Sequence, residues 1–275
     1  MKNLITRTIT GLLFITLIIT SFFISPVFFN ILFSLFAILS VYEYLIIAKQ
    51  QGSEPQIILP YLFTATLFLA SQLIVYSLPI SLGFLSFTFL LLLLIPFVEL
   101  YRKKEKPLIN IGVSIFPFLW IALPFALAGL WSHYFLSGRF VLALFLMIWL
   151  YDTLAYCAGS LFGKHPLFER VSPKKSWEGF IISAILTIGL STIFYHIPYF
   201  ANTIFTTPFH WMGFAAIIVI FSTLGDLVES LFKRSSNVKD SGSILPGHGG
   251  MLDRFDSFLF ACPAGFIYWI ICLLI

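Results

Sequence analysis

The chain reads as an all-α, polytopic membrane protein of about nine transmembrane helices, and three observations predict this. Hydrophobic residues make up 59% of the 275, charged residues only 10%, and mean hydropathy is +0.99, a composition outside the soluble globular range. The apolar residues lie in solid runs of roughly 20, the length that crosses ~30 Å of hydrocarbon, without the alternation of a porin-like barrel. Basic residues fall almost wholly on one side once those runs are taken as spans. A nucleic-acid binder is not expected from 16 Lys plus Arg set against 12 Asp plus Glu.

Each run is expected to be helical, because backbone groups in lipid must be paired within their own segment. The first, 6–25, follows Lys2 and Arg7; it is long and lacks a small-residue cleavage site, so it reads as an uncleaved helix rather than a signal peptide. The following runs cover about 27–48, 57–77, 79–99 and 108–131, making an N-terminal set of five spans over 1–131. Four more, at 139–161, 179–198, 211–232 and 255–275, make up a second half over 139–275 within one integral membrane unit, 1–275. With the N-terminus cytoplasmic, one side receives Lys2, Arg7, Lys49, Arg102, Lys103, Lys104, Lys106, Lys164, Arg170, Lys174, Lys175, Lys233, Arg234, Lys239 and Arg254, and the other only Arg139. That asymmetry supports nine spans and an external C-terminus. Cys157, Cys262 and Cys272 lie in apolar stretches and read as small core residues. The 33 Phe and 11 Tyr read as lipid-facing and core filler. His133, His196 and His210 are too dispersed for a metal site.

An ionisable group at the centre of a span costs about 2.5–3.5 kcal/mol on insertion scales, so each one points to a site. Glu43 and Glu99 lie near the cytoplasmic ends of their spans and are expected to reach the interface. Asp152 and Asp226 lie roughly 10–15 Å below theirs, at 1.5 Å of rise per residue, and could meet at one depth. Tyr156 follows Asp152 by four residues and Glu229 follows Asp226 by three, which puts each pair on one helix face. Both acidic helices adjoin unusual loops. One carries Gly163-Lys164-His165 and Ser172-Pro173-Lys174-Lys175-Ser176-Trp177-Glu178-Gly179; the other carries Lys233-Arg234, Lys239-Asp240, Gly242, Pro246-Gly247-His248-Gly249-Gly250 and Asp253-Arg254-Phe255-Asp256. Glycines let backbone N–H groups approach an anion, and Lys and Arg supply charge for phosphate. Clustered carboxylates beside these cations suggest a phosphate ligand held through a divalent metal with hard oxygen ligands.

The stretch Ser230 to Asp256, SLFKRSSNVKDSGSILPGHGGMLDRFD, resembles the signature of the phosphatidate cytidylyltransferase (CDP-diacylglycerol synthase) family. Asp152-Thr153, Ala155-Tyr156, Gly159, the GKH and SPKKSWEG stretches, and Gly225-Asp226-Leu227 with Glu229-Ser230 are similar to that family in the same order. The motifs cover the C-terminal half; the first half matches in hydropathy alone. Ser176 stands where Thr is common, and Ser160 where a basic residue is frequent.

The resemblance implies transfer of the cytidylyl group of CTP to phosphatidate, giving CDP-diacylglycerol and pyrophosphate. It also implies dependence on Mg²⁺, with a second cation as an open alternative. It assigns metal coordination to Asp226 and Asp253, with Asp256 and Asp240 as further candidates. Asp226, Asp253, Lys174, Asp152 and His248 are the expected catalytic residues, His248 by positioning rather than proton transfer. Ser172, Lys175, Ser176, Lys233, Arg234, Lys239, Gly249, Gly250 and Arg254 are the expected substrate contacts. The expected partners are CTP, phosphatidate and membrane lipid, with a homodimer left open. The expected location is a bacterial inner membrane, with the site facing the cytoplasm. Two other classes carry different marks: a cation-coupled transporter would show broken helices in paired repeats, and a CTP-using lipid kinase would leave no cytidine on its product.

Overall fold

A computed structural model describes residues 2–134, 138–201 and 203–274; the side chains of Lys2, Arg7 and His133 lie outside the described set. Two compact units are formed, the first from Met1–Ser137 with Ser235–Phe255 and the second from Gly138–Arg234 with Asp256–Ile275. The sequence reading set spans 1–131 and 139–275 as two halves of one membrane unit. The structure groups the glycine-rich stretch after Ser235 with the N-terminal helices.

The first unit contains α1 (Lys2–Ile24), α2 (Pro26–Gln50), α3 (Ile58–Leu73), α4 (Leu78–Arg102), α5 (Pro107–Pro117) and α6 (Leu123–Tyr134). Proline opens several of these because its missing N–H costs nothing in a first turn. Ser25 caps α2, its Oγ accepting from Phe28 N at 3.0 Å just after Pro26. Pro117 cannot donate to the helical ladder, and Phe118–Ala122 takes a π-helical turn between α5 and α6. The core is aromatic: Phe33, Phe36 and Phe125 surround Phe255, with ring centroids 6.0, 5.3 and 4.8 Å away. Buried hydroxyls pair across helices, as where Thr88 Oγ1 donates to Thr66 Oγ1 at 2.7 Å.

The second unit contains α7 (Arg139–Phe162), strands β1 (Pro166–Phe168) and β2 (Ser172–Ser176), α8 (Trp177–Leu190), α9 (Ile193–His196), α10 (Pro208–Ser235) and most of α11 (Leu252–Leu274). The antiparallel hairpin, which pairs Pro166 with Ser176 and Phe168 with Ser172, was not legible as a strand pattern. Its core is Phe140, Trp211, Phe214 and Trp269, all buried. The helices α7 and α8 cross where two glycines meet. A Cβ on Gly179 would stand 3.0 Å from Gly159 Cα and 3.2 Å from Ala155 O, so only a bare backbone permits this approach.

Among the described residues the predicted apolar runs are helical, the fifth through α5, the π turn and α6 and the seventh through α8 and α9. Seven helices are long and apolar enough to cross a membrane, and two shorter apolar ones, Thr8–Ile24 and Ile58–Leu73, cover the first and third predicted runs among the described residues. Two residue-level expectations are corrected. Cys157 is exposed on α7 rather than in a core, because the flank of a lipid-facing helix is as apolar in sequence as a packed one. Glu43 and Glu99 do not reach the surface; they are 1% and 3% exposed. Glu99 accepts from Arg102 Nη1 at 2.7 Å, Asn110 Nδ2 at 2.9 Å and Gln56 Nε2 at 3.1 Å, a closed polar node that takes it out of contact with water.

Candidate active site

A cavity of about 510 Å³ opens in the second unit between α7, the hairpin and α10. From α7 come Tyr151, Asp152, Tyr156, Gly159 and Ser160, four-residue spacing having placed Asp152 and Tyr156 on one face as expected. From β2 come Ser172, Lys174, Lys175 and Ser176, and from α10 comes Asp226. Lys175 Nζ forms an ion pair with Asp226 Oδ2. The other carboxylate oxygen of Asp226 accepts from Ser230 Oγ, one turn on, at 3.2 Å. Asp152 is open to the cavity, while Tyr151 is buried behind it with its hydroxyl 2.6 Å from Thr223 Oγ1.

Asp256 joins this group: Asp152, Asp226 and Asp256 are near enough to repel one another, with Lys175 as the cation that offsets them. Gly225 makes this possible, since a Cβ there would lie 2.6 Å from Asp256 O. Lys175 pairs with Asp226, and Asp152 opens beside them into the same cavity.

The hairpin that carries the lysines is closed by a residue that sequence reading had not singled out. Glu178 Oε2 accepts from the backbone N–H of Lys164 at 3.0 Å and of His165 at 3.2 Å, and its Oε1 lies 2.5 Å from His165 Nδ1. Ser176 Oγ caps α8 by accepting from Gly179 N at 3.1 Å. The GKH and SPKKSWEG stretches are thus two sides of one closure. Glu178 stands two residues after the Ser cap rather than the three of a capping box, so no standard spacing announced its role.

The remaining candidates stand elsewhere. Lys233, on the last turns of α10, pairs with the fully buried Glu229 at 2.5 Å, and Arg234 is exposed beside it. In the first unit lie Lys239, Asp240, His248, Gly249, Gly250, Asp253 and Arg254. Asp253 is 9% exposed, and its Oδ2 accepts from Ser241 N at 2.9 Å and Gly250 N at 2.8 Å. His248 Nδ1 lies 2.7 Å from Thr10 Oγ1, which also donates to Pro246 O at 3.1 Å. Gly249, at φ +81°, turns the chain as few other residues could. Asp226 and Asp253 therefore belong to two separately packed groups of side chains, each in its own unit. Among the described residues no three His, Cys, Asp or Glu side chains converge as a ready-made metal cage.

Fold and site together define a class: a polytopic helical membrane protein with an acidic, lysine-flanked cavity suited to phosphate chemistry. The chain belongs to the cytidylyltransferase family, whose model matches residues 5–272. It is 45% identical over 145 residues to a phosphatidate cytidylyltransferase of Staphylococcus haemolyticus, covering 50% of this chain and 54% of that protein. It is 46% identical over 129 residues to one of Staphylococcus aureus, covering 46% of each, and 44% identical over 137 residues to one of Haemophilus influenzae, covering 48% and 46%. The matched stretch thus spans about half the length of these relatives.

Proposed function

We propose that this protein transfers the cytidylyl group of CTP to phosphatidate, releasing pyrophosphate and leaving CDP-diacylglycerol in a bacterial inner membrane. The observation that carries this reading is the cavity in which Lys174, Lys175, Asp152 and Asp226 converge, in a chain whose relatives bear the name phosphatidate cytidylyltransferase. A phosphatidate oxygen forms the new bond to the α-phosphorus of CTP. The bond from that phosphorus to the bridging oxygen breaks, and pyrophosphate departs with the electron pair. The chain's work is positioning and charge neutralisation. No general base is needed, because a phosphate monoester, with a second pKa near 6, is already largely a dianion at neutral pH.

In this reading Lys174 and Lys175, with Ser172 and Ser176, hold phosphate oxygens, and Lys233, Arg234, Lys239 and Arg254 supply further cationic contacts. The donor set fits Mg²⁺. It consists of hard carboxylate oxygens, Asp152 and Asp226 lining one cavity with Lys174 and Lys175, and Mg²⁺ ordinarily takes one or two protein carboxylates with substrate phosphates and water rather than an all-protein cage. Asp226 in the cavity would hold it; the family resemblance adds Asp253, with Asp240 and Asp256 as further candidates. When bound, the ion would neutralise charge on the triphosphate. A cytoplasmic site supplies CTP from water, and the membrane supplies the lipid.

The test uses purified protein, Mg²⁺, phosphatidate and CTP labelled in the cytidine, followed by lipid extraction. Label in the organic phase as CDP-diacylglycerol is the expected result; label kept in water as CDP would overturn it in favour of a lipid kinase.

A further inference from the structure

The side chain that holds the glycine-rich loop is Glu43, a residue with no part in the chemistry above. It lies on α2, seven residues before that helix ends at Gln50. Its carboxylate gathers three donors from the other end of the chain. Ser241 Oγ donates to Oε2 at 2.8 Å, Met251 N to Oε1 at 2.9 Å and Leu252 N to Oε2 at 2.8 Å. The two amides open α11, where the first N–H groups of a helix lack intrahelical acceptors and the dipole favours negative charge. A helix end usually meets a cap supplied by its own neighbouring residues. Here the cap is a carboxylate from a distant helix.

The backbone is shaped to admit it. A Cβ on Gly250 would fall on the Glu43 carboxylate and on Ser241 Oγ, and one on Gly242 would stand 2.5 Å from Glu43 Oε1. These glycines are bare because an anion approaches them, and that anion belongs to the protein itself. Ser241 links the frame to the carboxylate of interest: its hydroxyl serves Glu43, and its N–H, with that of Gly250, holds Asp253 Oδ2.

We propose that Glu43 is a positioning residue. By fixing Ser241, Gly250 and the start of α11, it sets the carboxylate of Asp253 in one orientation for the metal-bound triphosphate. This rests on the cytidylyl-transfer reading above.

The test compares Glu43→Gln, Glu43→Asp and Ser241→Ala in the full-length, detergent-purified protein. Glu43→Gln keeps the shape but turns an amide NH₂ toward donors. Without Mg²⁺ or substrate, hydrogen exchange across 241–252 is expected to quicken at least tenfold in Glu43→Gln and Ser241→Ala, with exchange in α7 and α8 unchanged. With substrates, kcat is expected to fall at least tenfold and the Mg²⁺ midpoint to rise, while KM for phosphatidate stays within twofold. Glu43→Asp, which keeps the charge, should recover part of the loss. Unchanged exchange at 241–252, or exchange quickened throughout the chain, would overturn the proposal. So would an unmoved Mg²⁺ midpoint in both Glu43→Gln and Ser241→Ala. A parent protein that makes no CDP-diacylglycerol would overturn the functional reading instead, and the exchange arm would still judge the hold of Glu43 on the loop.

Discussion

Asp226 separates two kinds of contribution at the level of single side chains. It faces a cation on one oxygen and a hydroxyl on the other, contacts that an amide in its place would largely keep. Asp226→Asn is therefore expected to elute like the parent protein while turnover falls by roughly 100-fold or more, since on the proposed reading the site loses the carboxylate charge that would hold Mg²⁺. A Mg²⁺ titration at saturating CTP and phosphatidate measures it; near-parental turnover with an unmoved midpoint would remove Asp226 from the metal's ligands. Lys174, exposed on β2 at the cavity, should behave differently. Lys174→Ala is expected to raise KM for one phosphate substrate more than it shifts the Mg²⁺ midpoint. Asp152, Asp226 and both lysines were legible because an ionisable group in or beside an apolar run stands out against its surroundings. Glu43 was equally visible as a charge, yet its role was not, since its donors lie 198 to 209 residues away in sequence and no local spacing announces them.

Among the elements, the hairpin and the α7–α8 crossing decide where the lysines point. The helical character of the apolar runs was legible because hydropathy dictates it in lipid, while seven helices among the described residues are long and apolar enough to cross a membrane. The hairpin escaped because Pro166–Phe168 and Ser172–Ser176 are short, polar and held from outside by Glu178 rather than by alternation. At the crossing the tight side is Gly179, where a Cβ would stand 3.0 Å from Gly159 Cα. Gly179→Ala is expected to cost roughly 1–3 kcal/mol through overpacking. It should also displace β2, which runs directly into α8. Thermal unfolding in detergent should show the loss, and Lys175 should lose its pairing with Asp226, read as a higher KM for CTP. A melting temperature equal to the parent's would show that the helices can part there at no cost.

Across the whole molecule, the asymmetry of basic residues predicts that the loops carrying them are cytoplasmic. Reporters fused within 163–178 and 235–250 should therefore be cytoplasmic and one at the C-terminus external; a cytoplasmic C-terminal reporter would break the nine-span arrangement. The division into two units was only half legible. The boundary at Gly138 coincides with a gap between apolar runs, but the assignment of Ser235–Phe255 to the N-terminal unit depends on Glu43, Thr10 and Phe33, contacts that no composition change marks. That same long-range capping has a consequence in time. The donors Met251 and Leu252 follow Glu43 by 208 and 209 residues. At a synthesis rate of ~5–20 residues per second, the ribosome reaches them roughly 10–40 s after Glu43 has been made. Throughout that interval α2 carries its acidic group without those donors, so the packing around Glu43 is completed only after more than 200 further residues have been made.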